Sequence, residues 1–61
     1  MFENWQTMDI NMLVSILNMQ LRNLDNDYHQ LCSRFEMDES GLKERLTDAG
    51  FYYHAQINQW R

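Results

Sequence analysis

The sequence has little cysteine and no long hydrophobic run. Cys32 is the only cysteine among 61 residues, so an intramolecular disulfide is excluded and a reducing compartment suits the chain. Apolar runs stop at three residues, as in Met12–Val14, which is far too short to cross a membrane. The N-terminus carries Glu3 and Asn4 in place of a basic start, so it does not resemble a signal peptide. We therefore expect a soluble protein of the cytoplasm.

Positive charge is also scarce, and it is scattered. The formal net charge is −4, from nine acidic and five basic residues, and no two basic residues are adjacent. Because an acidic surface repels phosphate backbones, general affinity for nucleic acid is disfavoured. The basic residues are Arg22, Arg34, Lys43, Arg45 and Arg61.

The chain is short for a domain that must fold alone. With 61 residues, of which 44% are apolar, it is expected to bury only about 60% of the surface that its unfolded chain exposes. Its free energy of unfolding should then be a few kcal/mol. A catalytic cleft with its supporting residues is hard to build at this size, whereas an association surface needs less structure. Size therefore favours a binding or assembly module over an enzyme.

Residues 9–24 carry the clearest helical pattern in the chain. Apolar residues recur there at three- and four-residue steps without Gly or Pro, and Asp9 is placed to cap the first turn. The apolar positions are Ile10, Leu13, Val14, Leu17, Leu21 and Leu24. We predict a helix over about 9–24, preceded by an extended N-terminal arm over 1–8. Either Phe2 and Trp5 pack this arm against the body, or the arm is disordered.

A second and a third helix are predicted over 27–36 and 38–49. Asp27 and Gln30 fit an Asp-x-x-Gln capping box for the second helix, and Asp38 caps the third. The inward positions are expected to be Tyr28, Leu31, Cys32 and Phe35 in the second helix, and Leu42, Leu46 and Ala49 in the third.

The two glycines mark a weak point and the end of the third helix. Gly41 lies inside that helix and costs about 1 kcal/mol relative to alanine. Gly50 stands where the chain must leave in a left-handed conformation. Beyond it the pattern alternates and is aromatic, which predicts a short β-hairpin over 51–61 that packs on the helices through Phe51, Tyr53 and Trp60. We thus predict a single, mainly α domain of three short helices, the second and third arranged like a helix-turn-helix, closed by a C-terminal β-hairpin.

With these elements in view, the chain resembles a family of very small bacterial proteins, the domain of unknown function 4250. The resemblance covers most of the chain from Asp9 onward. It rests on Asp9 through Asn23, Leu31-Cys32, Asp38 with Leu42 and Leu46, Gly50 through Tyr53, and Asn58-Gln59-Trp60. This sequence departs from the family pattern in its acidic connection over 24–27 and in Gly41, where a larger helix former is usual. The resemblance implies this fold and a bacterial cytoplasmic setting, and it brings no catalytic residue.

The second face of the first helix is the most informative feature for function. At about 100° per residue, Met8, Met12, Ile16 and Met19 form a line opposite the main apolar face, which we call the methionine stripe. Two interpretations stand. Either the N-terminal arm or the hairpin aromatics cover the stripe, or the first helices of two subunits pack along it. The second interpretation makes the chain a non-catalytic self-assembly or protein-interaction module, a homo-oligomer or the partner of an unknown protein.

A DNA-binding interpretation comes from the second and third helices. With the hairpin they resemble a helix-turn-helix followed by a miniature wing, in which the third helix would read DNA. From Asp38 to Asp48, however, the chain has two basic and four acidic residues, which disfavours phosphate contacts. The aromatic residues Tyr52, Tyr53 and Trp60 could stack on bases, but on a hairpin that covers helices they are more typical of a core.

Candidate chemistry is sparse. His29 and Cys32 lie three residues apart and could supply two metal ligands or a catalytic pair, but zinc needs further ligands and only His54 or carboxylates remain. Cys32 falls on an apolar face, where a cysteine is usually buried and unreactive. The acidic clusters at 25–27 and 36–39 coincide with predicted caps and first turns, where they complement the helix dipole. We expect no catalytic residue, no metal and no cofactor.

Overall fold

The computed structural model describes residues 2–61 as three α-helices followed by a two-stranded antiparallel sheet. The helices are α1 (Ile10–Asn23), α2 (Tyr28–Phe35) and α3 (Glu39–Asp48), and the strands are β1 (Tyr53–His54) and β2 (Gln59–Trp60). In the hairpin, Tyr53 lies opposite Trp60 and His54 lies opposite Gln59. The predicted mainly α fold, closed by a C-terminal hairpin, is confirmed.

Each helix begins at an aspartate that accepts a hydrogen bond from the backbone N–H three residues later. The distances are 3.1 Å for Asp9, 2.8 Å for Asp27 and 3.1 Å for Asp38, so all three predicted caps are confirmed. The capping box of α2 differs in one bond from the prediction. The side chain of Gln30 accepts from the N–H of Asn26 at 2.7 Å, and so it satisfies the residue before the cap.

The hydrophobic core lies where the three helices, the hairpin and the N-terminal arm meet. Its largest fully buried side chains are Trp60, Leu13, Leu17, Leu31, Leu42, Leu46 and Cys32. Two residues that were predicted to point inward, Leu24 and Ala49, are exposed instead. Each directly follows the last residue of its helix, where the backbone has already left the helical path.

Side-chain amides attach the hairpin to α1. Asn18 makes two bonds to the backbone of Trp60, since its Nδ2 donates to the carbonyl at 3.0 Å and its Oδ1 accepts from the N–H at 2.8 Å. Asn58 has a left-handed φ of 53° and donates to the carbonyls of Leu21 and Asp25, both at 3.0 Å. These bonds hold a ribbon that would be marginal alone against the helix.

The N-terminal arm is folded in turns, so the predicted extended conformation is wrong. The N–H of Trp5 donates to the carbonyl of Phe2 at 3.2 Å, and that of Met8 donates to Asn4 at 2.9 Å. The side chains of Phe2 and Trp5 are buried, which confirms that the two aromatics pin the arm. Arg45 of α3 secures it further by donating to the carbonyls of Trp5, at 2.8 Å, and of Met8. Met1 lies outside the described residues.

Gly41 has a packing role that its helix propensity does not indicate. A Cβ atom at this position would lie 2.8 Å from Asp38 Oδ2 and 3.2 Å from Trp5 Cη2. The missing side chain therefore leaves room for both the capping carboxylate and the indole ring of the arm. Gly50 has a φ of +92°, which confirms the predicted left-handed exit from α3.

Candidate functional site

The methionine stripe is exposed at two of its four residues. Met12 and Met19 are 55% and 44% exposed. Ile16, between them, and Met8, before the N-cap, are half-buried and pack against the core. Met12 and Met19 are seven residues apart, or about 10.5 Å along the helix axis. The exposed apolar surface of the stripe is thus supplied by two methionines on one face of α1.

Neither the arm nor the hairpin buries these two methionines, since both stay exposed. The ring of Trp5 extends toward Gly41 of α3, and the hairpin is bound to Asn18. Asn18 lies about 100° around the helix from Met19, on a different flank. Intramolecular covering of the stripe, the first of the two sequence-based interpretations, is therefore wrong for Met12 and Met19.

The outer surface of α1 carries almost no charge. The helix contains no acidic residue, and its one basic residue is Arg22, exposed in the last turn. Asp9 is also exposed, but it lies just before the helix and its carboxylate caps the first turn. All nine acidic residues of this chain, which has a net charge of −4, lie outside α1. Another acidic molecule can therefore approach α1 with less repulsion than elsewhere on the chain.

Two further apolar residues, Leu24 and Ile57, are exposed outside the stripe, and the sequence pattern did not identify either as surface. They are 65% and 47% exposed. Leu24 precedes Asp25 and Ile57 precedes Asn58, and the Asn58 amide donates to the Asp25 carbonyl. They therefore adjoin the junction between α1 and the hairpin turn. Tyr52, which the sequence analysis grouped with the core aromatics of the hairpin, is exposed as well.

A polar network that the sequence pattern missed joins α1 to α2. Asp25, interpreted from sequence as part of a cap cluster, is only 4% exposed. It accepts two hydrogen bonds from Arg34, at 3.1 and 3.0 Å, and Arg34 also donates to Gln20 at 2.8 Å. The Asp25 carboxylate raises the pKa of the Arg34 guanidinium through these bonds. Because these hydrogen bonds join Arg34 of α2 to Gln20 and Asp25, the network fixes the connection between α1 and α2.

The thiol of Cys32, which the sequence offered as a metal ligand or as part of a catalytic pair, is buried. Cys32 is 1% exposed, and burial raises the pKa of its thiol to about 11. The thiol is therefore protonated at neutral pH and is neither a nucleophile nor a ready metal ligand. His29 instead pairs with Glu39 on α3. Within residues 2–61 no three His, Cys, Asp or Glu side chains are grouped to hold a metal ion, and no pocket is present.

The outer surface of α3 is predominantly acidic. Arg45 is half-buried and uses its guanidinium on the arm carbonyls, whereas Lys43, Glu44 and Asp48 are exposed. Lys43 is thus the one basic side chain of α3 that lies free at the surface of the described chain. The three hairpin aromatics do not share one surface. Tyr53 and Trp60 pack in the core with ring centroids 5.4 Å apart, whereas Tyr52 is exposed.

The fold and the surface together define a small, mainly α domain fastened by a C-terminal hairpin, with an uncharged apolar face on its first helix. Residues 7–60 match the family model described as Domain of unknown function (DUF4250). The chain belongs to this family, which confirms the resemblance drawn from the sequence. No curated protein and no solved structure matches the chain.

Proposed function

We propose that the protein is a non-catalytic self-assembly module whose contact face is the methionine stripe. The observation that carries the proposal is the exposure of Met12 and Met19, 55% and 44%, in line on one face of α1. Single exposed apolar residues are ordinary, but two in register on one helix match the spacing of anchors that a partner helix uses. Methionine is flexible and polarisable, and so it adapts to such contacts.

The size of this surface sets the strength of the expected association. Met12 and Met19 together expose about as much as one whole methionine side chain. Burying such a side chain contributes roughly 1.5–3 kcal/mol, so a pair of chains gains roughly 3–6 kcal/mol before the cost of association. Association itself costs about 4 kcal/mol or more, so the two methionines leave little net free energy and we expect at best a weak, concentration-dependent dimer, with a Kd of about 1 mM.

A pair of double variants tests the proposal. Met12→Glu with Met19→Glu places charge on the stripe, and Leu24→Glu with Ile57→Glu makes the same charge change at apolar sites elsewhere that are at least as exposed. Ile16 is left unchanged because it packs against the core. Molar mass is measured by light scattering on a size-exclusion column at loading concentrations up to about 1 mM, with circular dichroism as the check on folding.

We expect the unmodified protein and the Leu24/Ile57 variant to associate, and the Met12/Met19 variant to remain a folded single chain. Equal dissociation of both variants would show that added charge, not the stripe, decides the mass. A single-chain mass for the unmodified protein at all concentrations would end the proposal.

The environments of the buried reactive groups support the non-catalytic part of the proposal. The Cys32 thiol is buried and protonated, and the Asp25 carboxylate is engaged by Arg34. These are the groups among residues 2–61 whose burial could otherwise have indicated an active site. Incubation with general esterase, phosphatase and peptidase substrates is expected to give no turnover above a matched unfolded control.

The second candidate function is DNA binding by a winged-helix-like unit. The three-residue connection between α2 and α3 favours it, because a helix-turn-helix uses a turn of this length. The acidic outer residues of α3 oppose it. A fluorescence titration with mixed-sequence duplex DNA at low salt decides the matter. Binding that weakens steeply with added salt would favour this function over self-assembly.

We further infer a bacterial cytoplasmic setting. The family resemblance supports it, and so does a single cysteine whose thiol is free and buried. Among the helices of residues 2–61, none has the length and apolar character needed to span a bilayer. A different protein docked on the stripe remains the alternative partner, and it predicts a single-chain mass for the purified protein.

A further inference from the structure

We propose that the face of α3 that carries Gly41 and Arg45, together with Phe35 of α2, is a docking groove for an aromatic segment of a partner protein. We call it the arm groove, because the N-terminal arm fills it in the free chain. The recognised segment has a phenylalanine and a tryptophan three residues apart, as Phe2 and Trp5 are in the arm. The arm is then an autoinhibitory strap that the partner displaces. The proposal does not depend on self-association along the methionine stripe.

Gly41 and Arg45 form the part of the groove that holds Trp5. They are four residues apart and so lie on one face of α3. A Cβ at position 41 would lie 3.2 Å from Cη2 of Trp5, so the absent side chain makes room for the ring. Arg45 donates to the carbonyls of Trp5, at 2.8 Å, and of Met8. Peptide sites combine these two features, since a space for a side chain gives specificity and donors to backbone carbonyls give affinity.

Phe35 forms the part of the groove that holds Phe2. The two rings meet edge to face, with centroids 4.8 Å apart. The guanidinium of Arg34 lies over the Phe35 ring, 4.4 Å from its centroid, and Arg34 is itself held by Asp25. The Phe35 ring is therefore supported by residues outside the arm. Phe2 and Trp5 are 5% and 9% exposed, so the arm fills both positions.

The arm is bonded within itself and attached to the helices through side chains. The N–H of Trp5 donates to the carbonyl of Phe2, and that of Met8 donates to Asn4, so these backbone bonds close within the arm. The contacts described above attach it by two rings and by the Arg45 guanidinium. The family match spans every helix and both strands but begins after both rings, at residue 7. The arm can therefore leave the groove as a unit without breaking a backbone bond of the helices.

The tether decides which molecule can displace the arm. A short tether gives the arm an effective concentration in the millimolar range at its own groove. The arm of a second copy offers the same contacts without the tether, so at micromolar protein concentration it does not replace the first. A partner segment that adds contacts beyond the two rings can replace it. The occupant that we assign is therefore a segment of another protein.

A full-length variant with an empty groove tests the proposal. Phe2→Ala with Trp5→Ala, the emptied variant, removes both rings and keeps the chain complete. The probe is a fluorescein-labelled peptide with the sequence of residues 2–8, and its anisotropy is followed with circular dichroism as the check on folding. We expect saturable binding to the emptied variant and binding to the unmodified protein that is weaker by about ten-fold or more, because the tethered arm competes. Equal binding to both proteins, or binding to neither, would overturn the proposal.

Two substitutions on α3 form a matched pair in the emptied variant. Arg45→Gln and Lys43→Gln each remove one positive charge, but Arg45 donates to the arm whereas Lys43 is exposed. We expect Arg45→Gln to weaken peptide binding about five-fold or more, and Lys43→Gln to change it by less than about two-fold. A peptide with alanine at both aromatic positions should not bind. Equal effects of the two substitutions, or binding of the alanine peptide, would contradict the recognition proposed for this groove.

Hydrogen exchange of the unmodified protein decides the case if the emptied variant does not fold. The proposal requires the arm to open while the helices stay folded. The N–H groups of Trp5 and Met8 should then be protected at least about ten-fold less than those of Leu17 and Leu21, which are buried in α1, and should depend little on urea. Equal protection with equal urea dependence would show that the arm opens only with the whole domain, and would overturn the proposal.

The molar mass of the emptied variant distinguishes a partner protein from arm exchange between two copies. A two-chain mass of the unmodified protein that is lost in the emptied variant would assign the groove to the arm of a second copy and contradict the proposal. A two-chain mass that survives in this variant excludes arm exchange and supports both the arm groove and the stripe. A single-chain mass of the unmodified protein also excludes arm exchange, although it would end the proposed self-assembly.

Discussion

Replacing Gly41 with alanine tests whether tertiary packing or helix propensity governs the first turn of α3. Propensity alone predicts that Gly41→Ala stabilises the protein by up to about 1 kcal/mol. The structure predicts the opposite sign, because the new Cβ would lie 2.8 Å from Asp38 Oδ2 and 3.2 Å from Trp5 Cη2. The same Asp38 oxygen accepts the capping bond from the N–H of Gly41.

The magnitude follows from what must move. Displacing the Asp38 carboxylate weakens an N-cap, which typically costs about 1 kcal/mol. Crowding the ring of Trp5, which is 9% exposed, adds an overpacking cost of about 1 kcal/mol or more. Against a propensity gain of at most about 1 kcal/mol, the net expectation is a destabilisation of about 1 kcal/mol.

Urea denaturation followed by circular dichroism measures this difference, with two further variants. Ser40→Ala, at the exposed neighbouring helix position, changes propensity without the contacts and should stabilise by a few tenths of a kcal/mol. Trp5→Phe removes the crowded ring atom, so Gly41→Ala should cost at least about 0.5 kcal/mol less in that background. A stabilising Gly41→Ala, or a cost that is unchanged by Trp5→Phe, would refute the reasoning.

Two other perturbations probe the interior. Asp25→Ala should destabilise the protein by about 2–3 kcal/mol in urea titrations, since it removes both bonds that Arg34 donates to a buried carboxylate, whereas Asp48→Ala at an exposed site should change stability by less than about 0.5 kcal/mol. Equal effects would contradict the role given to the network. Stability should also fall as the pH rises from about 9 to about 11, because the thiol of Cys32 ionises at its ordinary value of 9.0 when unfolded and at about 11 when buried. The loss due to the thiol is on the order of 2–3 kcal/mol, and a Cys32→Ala variant with an undiminished loss would contradict this assignment, since burial also raises the pKa of Tyr28 and Tyr53 and only their part should remain.

The helices and their caps were predictable because their causes are local. An aspartate three residues before the N–H that it satisfies is visible in the sequence, and so is the apolar period of α1. The errors fall where a helix ends. Leu24 and Ala49 continue the apolar period by sequence position, but the backbone stops following it one residue earlier. Asp25 lies between two helices, where no period indicates burial.

The candidate site was predictable as a pattern but not as a surface. The methionine stripe follows from spacing alone, whereas its exposure depends on where the arm and the hairpin pack. Those positions are set by the bonds from Arg45 to Trp5 and from Asn18 to Trp60, which join residues 40 and 42 positions apart. Periodicity within one helix contains no information on such pairings. For the same reason the sequence indicates the low helix propensity of Gly41 but not its packing against Trp5.

Sedimentation equilibrium of the unmodified protein, from about 10 μM to 1 mM, tests the central claim most directly. If exposed methionines on α1 bind a second copy, the weight-average mass rises with concentration from 7.5 kDa toward twice that value. A mass that stays at one chain over the whole range would contradict the self-assembly function.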